Sequence, residues 1–538
     1  MTNSRQHVGT PEEDLTLSDT DRVSGRAALV GNVKAALAVS GAVRSTLGPR
    51  GMDKMLIDQD GRVVNTNDGA TVLETAMVEH PTARLLIDVS KSQDLIARDG
   101  TTTTILILAE LLRNSLELTR TGLHPSVIID GYEKAHAMCL EEIDGISKGI
   151  TTKKQLNDII STCIGNKVDS SLLEMIADHA STASESLVGR SIEDERILIN
   201  RVSMEGGSVK ECELVSGFVT RKQRYDHSMP DSGGKSSVAV IDGGIELREL
   251  EFDSGLEISS VGFRSDFIAR KRERILALVE HLKSLAVDLV ILSKGIDDEA
   301  HSALQKYGIT CFRRFDKEDL ERVAEQCGSI IVRSVLELNE DHVGQCDSWS
   351  EEKVSKVSYL TISSSKGRGK TFVARGSSTP LRQEIIRMFD DALGVAVRVS
   401  GDSPMLPGAG STWSHLAAVL RRNSSTMHGR TQLAVEGYAD ALETIPRALA
   451  ENSGADPIDR IIQLSAAQTK DGAWMGFDVK NNLLVDLQSA GIIDLRIVVE
   501  TALSGATEGA ISVLRINDVL WAKVEPDHPI LEESEDED

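Results

Sequence analysis

The chain has 538 residues, of which 40% are hydrophobic, 26% charged and only 3% aromatic, with a net charge of −24. That length exceeds what one core organises and implies about three domains, and the scarcity of rings means a core of aliphatic side chains. So acidic a chain offers no phosphate-neutralising surface, which excludes nucleic acid as a partner, and suits solubility in a crowded or salty cytoplasm.

The first twenty residues are polar and carry no apolar stretch, so they read as a disordered end and not as a secretory signal. GRAALVGNVKAALAVSGAVRSTLGP, from Gly25, has small and apolar residues at helical spacing and stops at Gly48-Pro49. In NTNDGAT, Asp68 stands in a turn between an expected hairpin strand and the next helix, although Asp-Gly is above all a hairpin-turn signal. SQDLIARDGTTTTILILAELL is more pointed, because threonine is a poor helix former and four of them open an apolar helix. A helix N-terminus offers N–H groups and the positive end of a dipole, so Gly100 with the hydroxyls of Thr101, Thr102 and Thr103 suits a phosphate. Asp99 would repel that phosphate unless Mg²⁺ lies between them. A metal-phosphate site and a plain N-cap both account for this stretch.

Further on, SSVAVIDGGIEL and AVDLVILSKGI are short apolar runs closed by glycine, as buried strands are. Between them FIARKRERILALVEHLKSLA places Ile275, Leu278, Val279, Leu282 and Leu285 on one helical face. Strands alternating with helices over 218–369 suggest an α/β domain. SSSKGRGKT approaches a Walker A loop, but Ser364 occupies its first glycine position and FVARG reads as a strand, so a basic surface turn is expected. LPGAGSTW is a glycine-bearing bend opening a helix, and from about residue 430 the chain is helical again. Helical ends enclosing an α/β middle imply that the ends form one interrupted domain. The tail EPDHPILEESEDED reads as disordered and acidic. No run approaches the roughly 18 apolar residues that span a bilayer. Six scattered cysteines without a CxxC pair read as free thiols in a reducing, cytoplasmic compartment.

LGPRGMDKML, TNDGATVLE, VEHPTARLL, DGTTT, GGSV, SKGIDD, ADALETIPRALAENSGADPID, SAGIID and LRINDV follow one another between about residues 25 and 523. In this order they resemble the group II chaperonins, the thermosome and its eukaryotic cytosolic counterpart. The resemblance implies a multi-domain chaperonin fold. A mostly α-helical equatorial ATPase domain would come from both chain ends (1–149 and 404–538). An α/β intermediate domain (150–217 and 370–403) would join it to an α/β apical substrate-binding domain (218–369). The apical domain would carry a helical protrusion at about 246–276, with Gly262 and Phe263 near the tip of a built-in lid.

The resemblance also implies roles for single residues. Asp99 would hold Mg²⁺ while Gly48, Gly100, Thr101, Thr102, Thr103, Gly408, Ala409 and Gly410 lie against ATP. Asp494 would accept from the ribose hydroxyls, and Asn166 and Lys167 would reach the γ-phosphate. Asp68 and Asp391 would be the catalytic carboxylates that activate water. The implied activity is Mg-dependent ATP hydrolysis that closes the lid over unfolded protein. The implied partners are unfolded clients and identical or paralogous subunits in a stacked double ring, with no nucleic acid and no membrane.

Five departures from the family pattern stand out. Arg98 and Ala409 replace glycines, Trp413 replaces a glutamate, Leu495 replaces a proline, and the Gly-Met-rich tail is absent. Arg98 adds a cation beside the phosphates, and Ala409 is accommodated without strain only at φ < 0. A divergent paralogue in a mixed ring is expected; a non-hydrolysing structural subunit is the rival, and a P-loop NTPase a distant third.

Overall fold

Helices from both halves of the chain share one core. The structure is a computed structural model, and it describes residues 20–57, 63–66, 69–75, 80–165, 170–187, 189–190, 192–246, 261–399 and 404–522. In the first core the helix Gly25–Val43 packs with Pro81–Ala97, Thr101–Arg120 and Pro125–Ile146. The helices Ser411–Ser424, Thr431–Leu442 and Arg496–Leu514 join them from the far end of the sequence. The threonine helix, Thr101–Arg120, lies at the centre: from Thr104 to Leu112 every residue except Glu110 is buried. Packing all round overrides the low propensity of its β-branched start. Two of the few rings, Tyr132 and Tyr438, meet edge to face at 5.5 Å, and each hydroxyl is satisfied, by the Leu111 carbonyl at 2.8 Å and Thr507 Oγ1 at 2.6 Å.

The strand Thr20–Ser24 pairs antiparallel with Asp518–Ala522, tying the two ends together. A separate hairpin pairs Lys54–Ile57 with Val63–Thr66. Contrary to the expectation that nothing is apolar enough to span a bilayer, the segments Arg26–Thr46 and Arg496–Leu514 are long and apolar enough by length and composition. Val33, Ala36, Val499, Leu503 and Val513 show why: these segments feed the first core, and core helices need the same residues.

A second core joins the helices Lys153–Ile164, Ser170–Ser184 and Thr379–Val399 to a three-stranded sheet. In that sheet Lys370–Gly376 runs parallel to Ile199–Glu205 and antiparallel to Glu213–Ser216. Phe372 of the sheet stacks face to face on Phe389 of the helix at 4.0 Å. The strand Lys370–Gly376 also settles the near-Walker sequence. Lys370 Nζ donates to the Thr182 carbonyl at 2.6 Å, and a Cβ added at Gly367 or Gly369 would run into Gln326. Those glycines are packing glycines and the lysine is engaged.

Beyond this sheet, Ser236–Ile241, Leu289–Leu292 and Thr310–Phe312 form a parallel sheet with Gly344–Cys346 added antiparallel on one edge. It packs against an antiparallel sheet built on Val357–Ser363 and Ser348–Val354. The helix Val261–Ser284 buries Ile275, Val279 and Leu282, with Leu278 and Leu285 at the margin of the same core. Gly262 and Phe263 fall in its first turn. The two chain ends (1–19 and 523–538) and residues 247–260 of the expected protrusion lie outside the described residues.

Phe389→Ala is expected to cost about 3–5 kcal/mol through the lost ring and the cavity it leaves. Hydrogen exchange checks this: amides of 370–376 and 379–399 should exchange faster while those of 101–120 do not change.

Candidate functional site

Between the first and second cores lies a cavity of about 590 Å³. Its floor is the start of the threonine helix. The loops Thr46–Pro49, Ala409–Gly410, Asp478–Lys480 and Ala490–Ile492 flank it, and Asp391 faces it from the second core together with Asn157, Asp158 and Glu174.

The floor is shaped by two consecutive reversals. The helix Pro81–Ala97 ends at Arg98, which is left-handed at φ 58°, ψ 13°, and Gly100 is left-handed at φ 82°. Gly100, not Asp99, is the N-cap of the threonine helix and brings it no capping side chain. The plain N-cap reading of Asp99 is therefore set aside. Asp99 Oδ1 accepts from the Gly100 N–H at 2.6 Å, one residue on, and Asp99 lines the cavity. Gln93, 1% exposed, fixes this turn by donating from Nε2 to the carbonyls of Asp99 (2.7 Å) and Val498 (3.1 Å). Thr101, Thr102 and Thr103 line the cavity, whereas Thr104 Oγ1 turns back to the Gly100 carbonyl at 2.9 Å. An added Cβ at Gly100 would meet Gln93 Nε2 and Val498 Cγ1, both at 2.9 Å, so only glycine lets the backbone reach the cavity here.

Gly48 (φ 83°) and Gly410 (φ 75°) are both left-handed and both rest on Leu449, which wedges the two loops together. Ala409 is left-handed too, at φ 51°. The condition for an unstrained alanine is thus not met: the loop closes on Leu449 and Pro446 with the geometry of a glycine loop, and the alanine bears a strain of about 1–2 kcal/mol. Gly408 is not among the residues lining the cavity. It donates to the Ile492 carbonyl at 3.1 Å, and its missing side chain leaves room for the Asp494 carboxylate.

Asp494 lies on the short strand Ile493–Leu495, paired with Met405–Pro407. Burial, reinforced by the charge of Asp99, pushes its pKa up to about 7. Asp391 stands beside Asp390, whose carboxylate accepts from Arg201 Nε at 2.6 Å. Burial raises the Asp390 pKa even so. Asp68, Asn166 and Lys167 lie outside the described residues; their neighbours Gly69 and Gly165 are on the wall.

Sequence reasoning did not single out Gln93, which braces the turn beneath the cavity, or Asp158, which lines it. Gln93 shares a face with buried Leu86, Ser90 and Ala97, so a polar residue in an apolar register was the signal to find it. Asp158, raised by burial, abuts Gly491 from a distant segment, and nothing local marks it. Cys163 also lines the cavity, and it is the one cysteine of six that is not buried.

Among the described residues no group of three or more His, Cys, Asp or Glu side chains forms a metal cage. That donor chemistry fits Mg²⁺, which takes one or two carboxylates and completes its octahedron with phosphate and water oxygens. The wall carries seven acidic side chains against Arg98 and Lys480. Carboxylates so placed disfavour a bare polyanion unless a cation lies between them.

Two outcomes follow from this geometry. Ala409→Gly should stabilise the protein by about 1 kcal/mol, read from chemical denaturation, because it relieves a left-handed alanine. Asp494 is held above its unfolded pKa of 3.8, so its contribution to stability is greatest below that value and declines as pH rises through about 7. Asp494→Asn should therefore gain stability relative to wild type between pH 5 and 8, and none below pH 4.

Residues 39–524 match the TCP-1/cpn60 chaperonin family. The chain is 37% identical over 507 residues to a thermosome subunit of Methanocaldococcus jannaschii, covering 93% of this chain and 94% of that one. It is 34% identical to the thermosome subunits beta and alpha of Thermoplasma acidophilum over 512 and 510 residues, 94% of this chain in both cases and 94% and 93% of theirs. With so continuous a match, this chain belongs to the TCP-1/cpn60 chaperonin family, as a group II chaperonin.

Proposed function

We propose that this chaperonin subunit binds and hydrolyses Mg-ATP in the cavity between its first two cores and uses the cycle to enclose unfolded protein. The observation carrying this reading is the convergence of Asp99, Gly100, Thr101–Thr103, Gly48, Gly410, Asp391 and Asp494 on one cavity. The N-terminal turn of the threonine helix receives the phosphates through backbone N–H and hydroxyl groups. Asp99 holds Mg²⁺, which when bound neutralises phosphate charge and orients the γ-phosphoryl group. Asp391, with Asp68, accepts a proton from the attacking water, and Asn166 and Lys167 reach the γ-phosphate. Asp494 in its ionised form accepts from the ribose hydroxyls, with Gly408, Ala409 and Gly410 shaping the loop beside it. Such chemistry rests on positioning and charge, not on covalent help.

The domain assignment follows the same reading. The equatorial domain takes 1–149 and 404–538, the intermediate domain 150–217 and 370–403, and the apical domain 218–369 with its protrusion at about 246–276. Leu276, Ile330 and Leu336 are exposed apolar residues in the apical part, available to an unfolded client. Two isolated two-stranded ribbons support assembly with further subunits. The hairpin exposes Met55 and Ile57, and the terminal pair exposes Val23 and Leu520. Ribbons of this kind are marginal alone and gain by pairing with a neighbour's edge. Relatives named as alpha and beta subunits favour an assembly of mixed subunits, which this reading arranges as a stacked double ring. The buried thiols Cys139, Cys212, Cys311, Cys327 and Cys346, none of them in a disulfide, favour a cytoplasmic setting.

A non-hydrolysing structural subunit is the second reading, favoured by Arg98 and Ala409 holding left-handed positions that glycine fits better. Steady-state ATP hydrolysis by the assembled particle separates the two. In Asp391→Ala turnover should fall about a hundredfold or more while ADP binding persists, and EDTA should abolish it. Bound nucleotide without turnover in the wild type establishes the structural subunit instead.

A further inference from the structure

The helix Thr379–Val399 meets the end of the helix Pro81–Ala97 through two arginines, one from each side. Arg98 lays its aliphatic stem across Gly394. A Cβ added at Gly394 would sit 2.7 Å from Arg98 Cβ and nearer still to Cγ, so the glycine is a notch cut to that stem. Arg398 reaches back the other way. Its Nη2 donates to the Leu95 carbonyl at 3.0 Å, its Nη1 to the Gly394 carbonyl at 2.8 Å, and its Nε to the Ile96 carbonyl. The Leu95 and Ile96 carbonyls are among the last of the Pro81–Ala97 helix, which its own ladder leaves open, while Gly394 lies on the helix of Arg398 itself. Arg98 Nη1 is steadied by Asp94 Oδ2 at 3.8 Å.

Asp391, Gly394 and Arg398 are spaced i, i+3 and i+7, so they share one face of their helix. The surface that docks on Arg98 is thus the surface that carries the carboxylate, and both Arg98 and Asp391 line the cavity. Arg98 is also the residue that ends its helix directly before Asp99.

We propose that Arg98 and Gly394, closed by Arg398, form a clasp that fixes the Asp391 face against the Asp99 end of the cavity. Arg98 and Arg398 are then positioning residues for hydrolysis. This deepens and rests on the reading of the cavity as the ATPase site. Arg98 acts through the packing of its stem, so it governs turnover more than nucleotide affinity.

Gly394→Ala is the decisive substitution. Alanine favours an isolated helix over glycine, so any loss comes from the contact with Arg98 and not from the helix itself. In the assembled particle with Mg-ATP, Gly394→Ala should lower kcat about tenfold with KM changed less than about twofold. Arg98→Lys, which keeps the stem, should retain kcat within about twofold of wild type. The double variant Arg98→Gly with Gly394→Ala should recover kcat to that of Arg98→Gly alone, because the added methyl then has space. Wild-type kcat in Gly394→Ala, or a double variant as impaired as Gly394→Ala, overturns the clasp. Hydrogen exchange over 391–399 reads the same contact without turnover. It should speed up in Gly394→Ala and return in the double variant, and unchanged exchange in Gly394→Ala likewise overturns the proposal. If the wild type hydrolyses nothing, the ATPase reading fails while exchange still decides the clasp.

Discussion

The constraint on which the structure turns is a concentration of negative charge in a half-enclosed space. Asp99, Asp391 and Asp494 come from three segments far apart in sequence and face one cavity. Two of them already feel each other, since the charge of Asp99 helps hold the Asp494 proton. The Asp494 carboxyl, raised by burial and by that neighbour, shows what gathering carboxylates in this way costs.

Around that charge the backbone does the shaping. Gly48, Gly100 and Gly410 adopt left-handed conformations that present main chain, not side chain, to the cavity. Gln93 ties the turn at Asp99 to Val498 of another helix, so the floor is held by a buried amide and not by loop rigidity alone. Arg98 and Ala409 show that side chains are tolerated in two more left-handed places when the surrounding packing over-determines the conformation. Both of these residues line the cavity.

Much of this was legible in the residues. The helices at both ends announce themselves by apolar spacing, and Ile275, Val279 and Leu282 fall on the buried face their period assigns. The turn RDGTTTT was readable as a helix start, and Asp99, Gly100 and Thr101–Thr103 do line the cavity. What was hidden arises from closure between distant segments. Leu449 makes one unit of the loops at Gly48 and Gly410, and Asp158 reaches the wall beside Gly491. The sign of φ at Ala409 followed from that closure, which a local rule about alanine does not see. The helical spacing of Arg26–Thr46 was legible, but its bilayer-compatible hydropathy, like that of Arg496–Leu514, was not, because interspersed polar residues break the apolar runs without spoiling the buried face.

The cysteines acquire a practical meaning from their placement. Cys139, Cys212, Cys311, Cys327 and Cys346 are buried, and burial pushes each of these thiols up, Cys346 to about 11. Thiolate chemistry at neutral pH is closed to them. Cys163 alone has a partly open surface, and that surface is the cavity wall. A maleimide or similar electrophile thus finds its most accessible sulfur on the cavity wall.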